Sequence, residues 1–481
     1  MMKSKSIAME FLKSALSFDN SLMNTEDILD WLETRKKAVH HRVVPIRFSE
    51  MEQWAFDPAT SDLHHQSGKF FSIQGVGIRT NWGNVAHWSQ PIINQAEIGI
   101  LGIITKKIGG ILHFLMQAKI EPGNINSVQL SPTLQATKSN YTKVHQGKSP
   151  SYFEYFSEDK PGVRVLLDQL QSEQGARFLK KRNRNIIIEV ENEIEVLEEF
   201  CWLTLGQLKH LLQHDNVVNM DTRTVISGIP LGSHIEDPVA IDAALSIVKA
   251  KGSDFGHDLL KSATDVQNGL NTVEDVISWI TRLKSKYELE IKHVPLKALD
   301  QWRIDDHSIS HEKKKYFSVI AVRAEIGNRE VQSWTQPMVK SAQEGIIAFI
   351  IKKINGVYHF LVQAKLEAGN FDIIELAPSV QCLTGNYREG LNEYEPEFLN
   401  YILQAGQNSA RVRYSTMQSE EGGRFFMEQN ANMIVEAPAD FDENLPENFI
   451  WMTLSQLKLF IKFNNYLNIQ ARSLISAVRF L

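Results

Sequence analysis

Residues 117–145 read QAKIEPGNINSVQLSPTLQATKSNYTKVH. Ahead of them lies an apolar run, Ile111-Leu-His-Phe-Leu-Met116, with the length and residue types of a buried strand. The strand ends in Gln-Ala-Lys-x-Glu and meets Pro122-Gly-Asn124, which forces a turn. Beyond it, Gln129, Ser131, Thr133, Gln135, Thr137, Ser139 and Asn140 form a polar series too dense for an ordinary core strand. Period-two alternation aims many of them to the same side. The stretch predicts a ligand surface.

It occurs twice. Gln363-Ala-Lys-Leu-Glu-Ala-Gly-Asn370 repeats Gln117 to Asn124 at an offset of 246 (363 − 117), and Pro132, Gln135, Asn140 and Tyr141 recur as Pro378, Gln381, Asn386 and Tyr387. Trp88-Ser-Gln-Pro91 returns as Trp334-Thr-Gln-Pro337, and Ser172-Glu-Gln-Gly-Ala-Arg-Phe178 as Ser419-Glu-Glu-Gly-Gly-Arg-Phe425. Trp202-Leu-Thr-Leu-Gly-Gln-Leu-Lys209 matches Trp451-Met-Thr-Leu-Ser-Gln-Leu-Lys458 at an offset of 249 (451 − 202). The chain is a tandem duplication with few insertions between its copies.

At 481 residues, with 43% hydrophobic and 22% charged content, each copy is long enough to bury a substantial core. A formal charge of −6 makes no electrostatic case for nucleic acid or an anionic membrane. The two cysteines, Cys201 and Cys382, stand at unrelated places in the copies, which excludes a disulfide framework or metal-ligand pattern and fits a cytoplasmic protein. The first residues read as a short helix rather than a signal peptide, and no run reaches the ~20 apolar residues of a membrane span.

Residue types predict an α+β fold: in each copy a helix, several strands in a mixed or antiparallel sheet, then a closing helix. A helical segment is expected over 1–23, a first repeat over 24–229, a linker over 230–253 with a helix at 239–251, and a second repeat over 254–481. Strands are expected at 98–104 and 345–351, each hairpinned into the next, and closing helices at 204–212 and 453–463, started by Thr caps.

Dinucleotide, P-loop and nucleophile-elbow motifs are missing. His40-His41 and His64-His65 are adjacent pairs that point apart, so they make poor chelators. Gln117, Lys119 and Glu121 share one strand face, and the same types recur as Gln363, Lys365, Glu367 and Asn370. The plainer alternative is a solvated edge holding an ion pair. Arg177 and Arg424 are natural forks for phosphate or carboxylate, though either also suits a structural salt bridge. Trp88 and Trp334 are candidates to stack on a base or sugar, against the default of core packing. Where the first copy has His145 the second has Leu391 (145 + 246), so a titratable group in one half only suggests acid–base work there.

With its duplication, Trp-x-Gln-Pro elements and closing helices, the 117–145 signature resembles the NDP-hexose 2,3-dehydratase family over essentially the whole chain. The second copy departs at Ala368 for Pro122 and at Leu391 for His145. The resemblance implies two tandem Nudix-like domains in each subunit of a homodimer, acting on dTDP-4-keto-6-deoxyglucose. It also implies loss of water across C2–C3 without a cofactor or metal, and a separate 3-ketoreductase downstream. The sequence lacks the Gly-x5-Glu-x7-Arg-Glu-x-x-Glu-Glu box that would hold Mg²⁺, which argues against a sugar-nucleotide pyrophosphatase. A non-catalytic nucleotide-sugar binder is the alternative.

On that resemblance His145 or Tyr141 would transfer protons, Lys119 and Asn124 would hold the enolate oxygen, and Glu121 would orient Lys119 or handle the leaving hydroxyl. Gln117, Gln129, Thr133, Gln135 and Asn140 would bind sugar hydroxyls, with Trp88 and Arg177 on the base and diphosphate. Trp334, Gln363, Lys365, Glu367, Asn370, Gln381, Asn386, Tyr387 and Arg424 would line a second pocket.

Overall fold

The computed structural model describes residues 2–18, 22–137, 150–157, 161–231, 237–251, 253–265, 267–329, 331–382, 396–407 and 409–481. Each half builds the same seven-stranded sheet. In the first, Gly99–Ile108 and Ile111–Ile120 form a hairpin through Gly109 and Gly110, both at positive φ, where a side chain would be strained. Arg182–Val190 runs parallel to one of these strands and Phe200–Thr204 antiparallel to the other. In the second half Gly345–Ile354, Val357–Lys365, Gln429–Glu436 and Phe449–Thr453 repeat the pattern.

Both faces of these sheets are covered, which explains the near-continuous apolar runs. Leu112, Phe114 and Met116 face one core and Leu115 the other. The helix Met2–Ala15 buries Ala8, Phe11, Leu12 and Ala15, one helical stripe, against the first of these. Its Ser14 hydroxyl donates to Leu112 O at 2.6 Å and accepts the Leu205 N–H at 2.9 Å. On the helix Asp254–Thr264, Ser262 bonds Tyr358 O and the Leu454 N–H at the same distances, so the duplication includes this helix. The linker helix spans Pro238–Ala250.

The two halves exchange strands. His41–Ile46 pairs antiparallel with Phe317–Ile326 of the second half, and Leu289–Val294 pairs with Ser72–Thr80 of the first. Each five-stranded sheet is therefore a joint product of the two copies. Pro45 sits on an edge strand, where the missing N–H breaks no ladder.

The expected closing helices are Leu205–Leu211 and Leu454–Phe460, each with a Thr–Gln capping box. They do not close the halves. Met220–Ser227 and Ile469–Ala477 follow, and every residue in both is buried, so neither shows the polar face that marks a surface helix in sequence. These two helices pack on each other between the halves.

Four buried cations cross that junction. Arg223 donates to Ser473 Oγ at 2.7 Å and to Ser419 O; Arg472 donates to Thr224 Oγ1 at 3.0 Å and to Ser172 O. Lys209 reaches Ser476 O at 3.0 Å and Val478 O at 2.6 Å, and Lys458 reaches Ser227 O at 2.6 Å. Each lysine thus meets the carbonyl end of the other half's helix, where the peptide dipoles favour positive charge.

Burial pushes the Lys209 ammonium down to about 7, from an ordinary 10.5. Between those values the unfolded chain holds a proton that the folded chain has released, so stability rises with pH across this window. Urea unfolding at successive pH values above 7 should show this rise in the native protein. Lys209→Met should remove part of it, on the order of 1 kcal/mol per pH unit; parallel curves for the two would contradict the assignment.

Candidate active site

The strand Ile111–Ile120 aims Gln117 and Lys119 to one side, and the neighbouring Val128–Ser131 and Leu134–Ala136 complete a polar floor. Gln135 is its fixed point. Its Nε2 donates to Glu121 Oε1 at 2.8 Å, while its Oε1 accepts from Ser131 Oγ at 2.9 Å and Asn219 Nδ2 at 3.3 Å. With both ends of the amide engaged, Gln135 holds the Glu121 carboxylate in place, and its carbonyl lies 3.4 Å from Lys119 Nζ. The second half repeats this: Gln381 donates to Glu367 Oε1 at 2.9 Å and accepts from Asn468 at 2.7 Å.

The turn after Glu121 brings in the other half. The Gly123 N–H donates to Gly422 O at 2.7 Å, and the Met427 N–H donates back to Gly123 O at 2.8 Å. A Cβ at Gly123 would stand 1.7 Å from Phe425 O, so only glycine admits the loop. Gly369 meets the Gly175 loop in the same way, with a Cβ only 1.8 Å from Phe178 O. Pro-Gly-Asn is therefore a docking surface as well as a turn. Through it Glu421, Gly423 and Arg424 reach the first half's polar floor.

A cavity of about 630 Å³ lies there, a volume suited to a nucleotide sugar. The first half lines it with Gln117, Lys119, Glu121, Gln135, Glu173, Lys181 and Asp221, the second with Arg329, Trp334, Glu421 and Arg424. Arg424 stacks 4.1 Å over the Phe71 ring and donates to Gln95 Oε1 at 3.2 Å. Arg329 donates to Ile120 O at 2.6 Å. The Trp334 indole N–H is held by Gln336 at 2.8 Å, and Gln336 donates to Gly423 O at 2.8 Å.

Crowded charge sets the electrostatics. Burial, then the Arg329 guanidinium, pushes Lys119 down to about 8, against the pull of Glu121, Asp221 and Glu421. Glu421 is pushed up to about 7 by burial, opposed by Arg424 and reinforced by Glu121. Asp221 is raised well above the usual carboxylate range, first by burial and then by Glu421, Glu121 and Glu173. The arrangement offers one ammonium and at least one neutral carboxylic acid in a shared cavity, a pairing suited to proton transfer beside a developing oxyanion.

Of the residues singled out in the sequence, Gln117, Lys119, Glu121, Thr133 and Gln135 line this cavity. The Thr133 hydroxyl, however, accepts the Ile104 N–H at 2.9 Å and donates to Leu115 O, so it braces the sheet. Gln129 is fully buried and accepts from Ser419 Oγ at 2.9 Å, a clamp between halves. Asn124 donates to Ser127 O at 3.1 Å and lies against Gly422.

Trp88 and Arg177 lie outside the cavity. Trp88 lines a separate cleft with Arg79, His87 and Lys292. Arg177 is buried 4.1 Å over the Phe317 ring, in the field of Glu428, Glu367 and Glu420 on the second half's side. Trp334 and Arg424, expected in a second pocket, instead line this cavity, where Trp88 and Arg177 were expected. The arginines cross reciprocally: Arg424 lies over Phe71 of the first half and Arg177 over Phe317 of the second. Gln363, Lys365, Glu367, Asn370 and Gln381 sit at the matching positions of the second sheet. Asn140, Tyr141, His145, Asn386 and Tyr387 lie outside the described residues.

Asp221, Glu421, Glu173, Lys181 and Arg329 escaped the sequence reading. The contrast between the copies that singles out His145 also marks several of them, because the second copy has Gln470 where the first has Asp221 (470 − 249), and the first copy has Gln174 where the second has Glu421 (421 − 247). The second copy also has Glu428 for Lys181 (428 − 247). Among the described residues, no three His, Cys, Asp or Glu side chains converge as a metal site requires.

The NDP-hexose 2,3-dehydratase family model matches residues 25–229 and again 273–478. A dTDP-4-dehydro-6-deoxy-alpha-D-glucopyranose 2,3-dehydratase of Saccharopolyspora spinosa is 44% identical over 468 residues, 97% of this chain and 94% of that protein. Proteins of the same name are 39% identical over 472 residues in Amycolatopsis orientalis and 40% identical over 451 residues in Streptomyces violaceoruber. They cover 97% and 93% of this chain, which spans 92% and 96% of their own lengths. A composite polar cavity and a family match in both copies lead to one conclusion: the chain belongs to the NDP-hexose 2,3-dehydratase family.

Proposed function

We propose that the chain is a hydro-lyase that removes water across C2–C3 of dTDP-4-dehydro-6-deoxyglucose, giving a 3,4-diketo-2,6-dideoxy sugar nucleotide. The observation that carries this reading is Lys119, a buried ammonium facing Glu121, Asp221 and Glu421 in a cavity of nucleotide-sugar size. The C4 ketone acidifies the C3 proton. Once that proton leaves, charge collects on the C4 oxygen, and Lys119 is placed to hold it. Glu121, fixed by Gln135, orients the ammonium. His145 or Tyr141 takes the C3 proton, an assignment that rests on the sequence alone. Trp334 stacks on the base, and Arg424 and Arg329 take the diphosphate.

The product is a reactive diketone, so a separate 3-ketoreductase is its natural consumer. A Nudix-like ancestry of each half, a homodimeric assembly and a cytoplasmic setting complete the reading; no helix of the described chain is long and apolar enough to cross a membrane.

Incubation with dTDP-4-dehydro-6-deoxyglucose in D₂O with EDTA, a 3-ketoreductase and NADPH tests it by mass spectrometry. Loss of one water with a reduced, C2-deuterated sugar is expected. An unchanged sugar that still raises the melting temperature would replace the reading with a binding protein, and released dTMP with a hydrolase.

Lys119→Met should lower kcat about 10²–10³-fold, the scale of a lost oxyanion donor. In the native enzyme kcat/KM should fall as pH rises through about 8, where Lys119 loses its proton. Lys119→Arg should move that limb upward; an unmoved limb would assign it to another group.

Trp334→Ala should weaken dTDP binding measured by calorimetry at least tenfold, while Trp88→Ala leaves it within twofold. The reverse order would return the base to Trp88.

A further inference from the structure

Elimination needs a proton for the hydroxyl that leaves C2, since hydroxide departs poorly. A suitable donor faces the cavity, holds a proton at neutral pH, and is not committed to a protein hydrogen bond. Most polar groups around the cavity fail the last condition. Glu121 accepts from Gln135 at 2.8 Å, Glu173 accepts from Asn183 at 2.7 Å, and Lys181 donates to Glu97 O.

Asp221 meets the first and the last, and its surroundings favour the protonated form. It stands in the first turn of Met220–Ser227, is 2% exposed and lines the cavity. Its Oδ1 is buried without a hydrogen-bond partner among the described residues. The charged and titratable groups around it are Lys119 and Glu121 from the strand side, Glu173 and Glu421 from the two loops, and Arg223 from its own helix. Burial and the three carboxyls of Glu421, Glu121 and Glu173, against the pull of Lys119, favour the neutral acid. Glu421 is the rival, but the Arg424 guanidinium beside it favours its ionised form.

The duplication supplies an independent line. Helix Ile469–Ala477 has the same Asn cap, and Gln470 stands where Asp221 does. The Gln470 amide is fully buried, with neither polar atom partnered among the described residues. The fold thus accepts an amide at this place, and the half with the amide keeps Lys365, Glu367 and Gln381. What it lacks is a proton to give.

We propose that Asp221 is the acid that protonates the departing C2 hydroxyl, and that Gln470 leaves the second half unable to perform this step. The inference rests on the dehydratase reading above. The C3–H bond breaks, its proton going to the base and its electron pair into the C4 enolate. That pair then forms the C2=C3 bond as C2–O breaks. The oxygen keeps the C2–O electrons, takes the Asp221 proton and leaves as water. The enol at C3 becomes a ketone as C2 gains a proton. The new Asp221 carboxylate lies in the field of Lys119 and regains its proton from solvent. No net oxidation or reduction occurs.

Asp221→Asn tests the step with two substrates in the full-length enzyme. With the natural substrate, water loss should fall about 10²–10³-fold, within the range of general-acid catalysis. Recovered substrate should still gain deuterium at C3 in D₂O, because the base is intact. With the 2-deoxy-2-fluoro analogue, whose fluoride leaves without a proton, variant and native rates should agree within about threefold. Equal loss with both substrates and no C3 exchange would overturn the proposal in favour of a structural role. Undiminished water loss would overturn it outright. A native enzyme that loses no water from the natural substrate would instead refute the dehydratase reading.

Discussion

A contact between two pieces of backbone holds the functional part of this molecule together. Gly123 and Gly422 approach so closely that the N–H of one reaches the carbonyl of the other at 2.7 Å, and Gly369 and Gly175 do the same on the opposite side. Neither approach tolerates a Cβ at Gly123 or Gly369. Because the contact is made by main chain, it fixes Glu421 and Arg424 relative to Lys119 more firmly than side-chain packing would. The cavity exists only as a joint product of both copies.

The rest of the architecture serves that joint construction. Trp334 lines the first half's cavity, and Trp88 packs against an apolar cluster that includes Ala368 of the second half. A single apolar core runs through both copies, from Phe114 to Phe360 and Leu474. Buried Arg223, Arg472, Lys209 and Lys458 lace the two-helix junction to main-chain carbonyls. Isolated charges of this kind are costly in a core, and several main-chain acceptors per cation offset that cost. Removing one half would expose the core and strip these side chains of their acceptors across the junction.

Within this near-symmetric frame the chemistry is asymmetric. Lys119 and Lys365, Glu121 and Glu367, and Gln135 and Gln381 are preserved in both copies, and these residues also support the sheet. The differences fall on groups that exchange protons or carry charge: Asp221 against Gln470, Glu421 against Gln174, Lys181 against Glu428. Asp221 from one copy and Glu421 from the other line the same cavity, while their counterparts are both glutamines, an asymmetry consistent with a single reacting centre. At the matching place in the second half, Gln470 and Arg177 hold buried polar atoms with no hydrogen-bond partner among the described residues.

The duplication, the α+β character, the hairpins, the capped helices and the Gln-x-Lys-x-Glu face were all legible in the sequence. Each depends on local spacing, on turn chemistry or on comparing the copies with each other. The family followed from the same stretch, because its dense polar series is long enough to be specific. Which arginine and tryptophan serve which site was not legible, since the contacts between halves that place them are long-range and leave no local periodicity. Asp221 was hidden for a related reason: its helix is buried on every side, so its polar residues face protein rather than solvent. Residue types and their repetition determined what kind of protein this is; only tertiary packing decided which groups meet, because groups more than two hundred residues apart, such as Lys119 and Glu421, come together only when both halves close on one cavity.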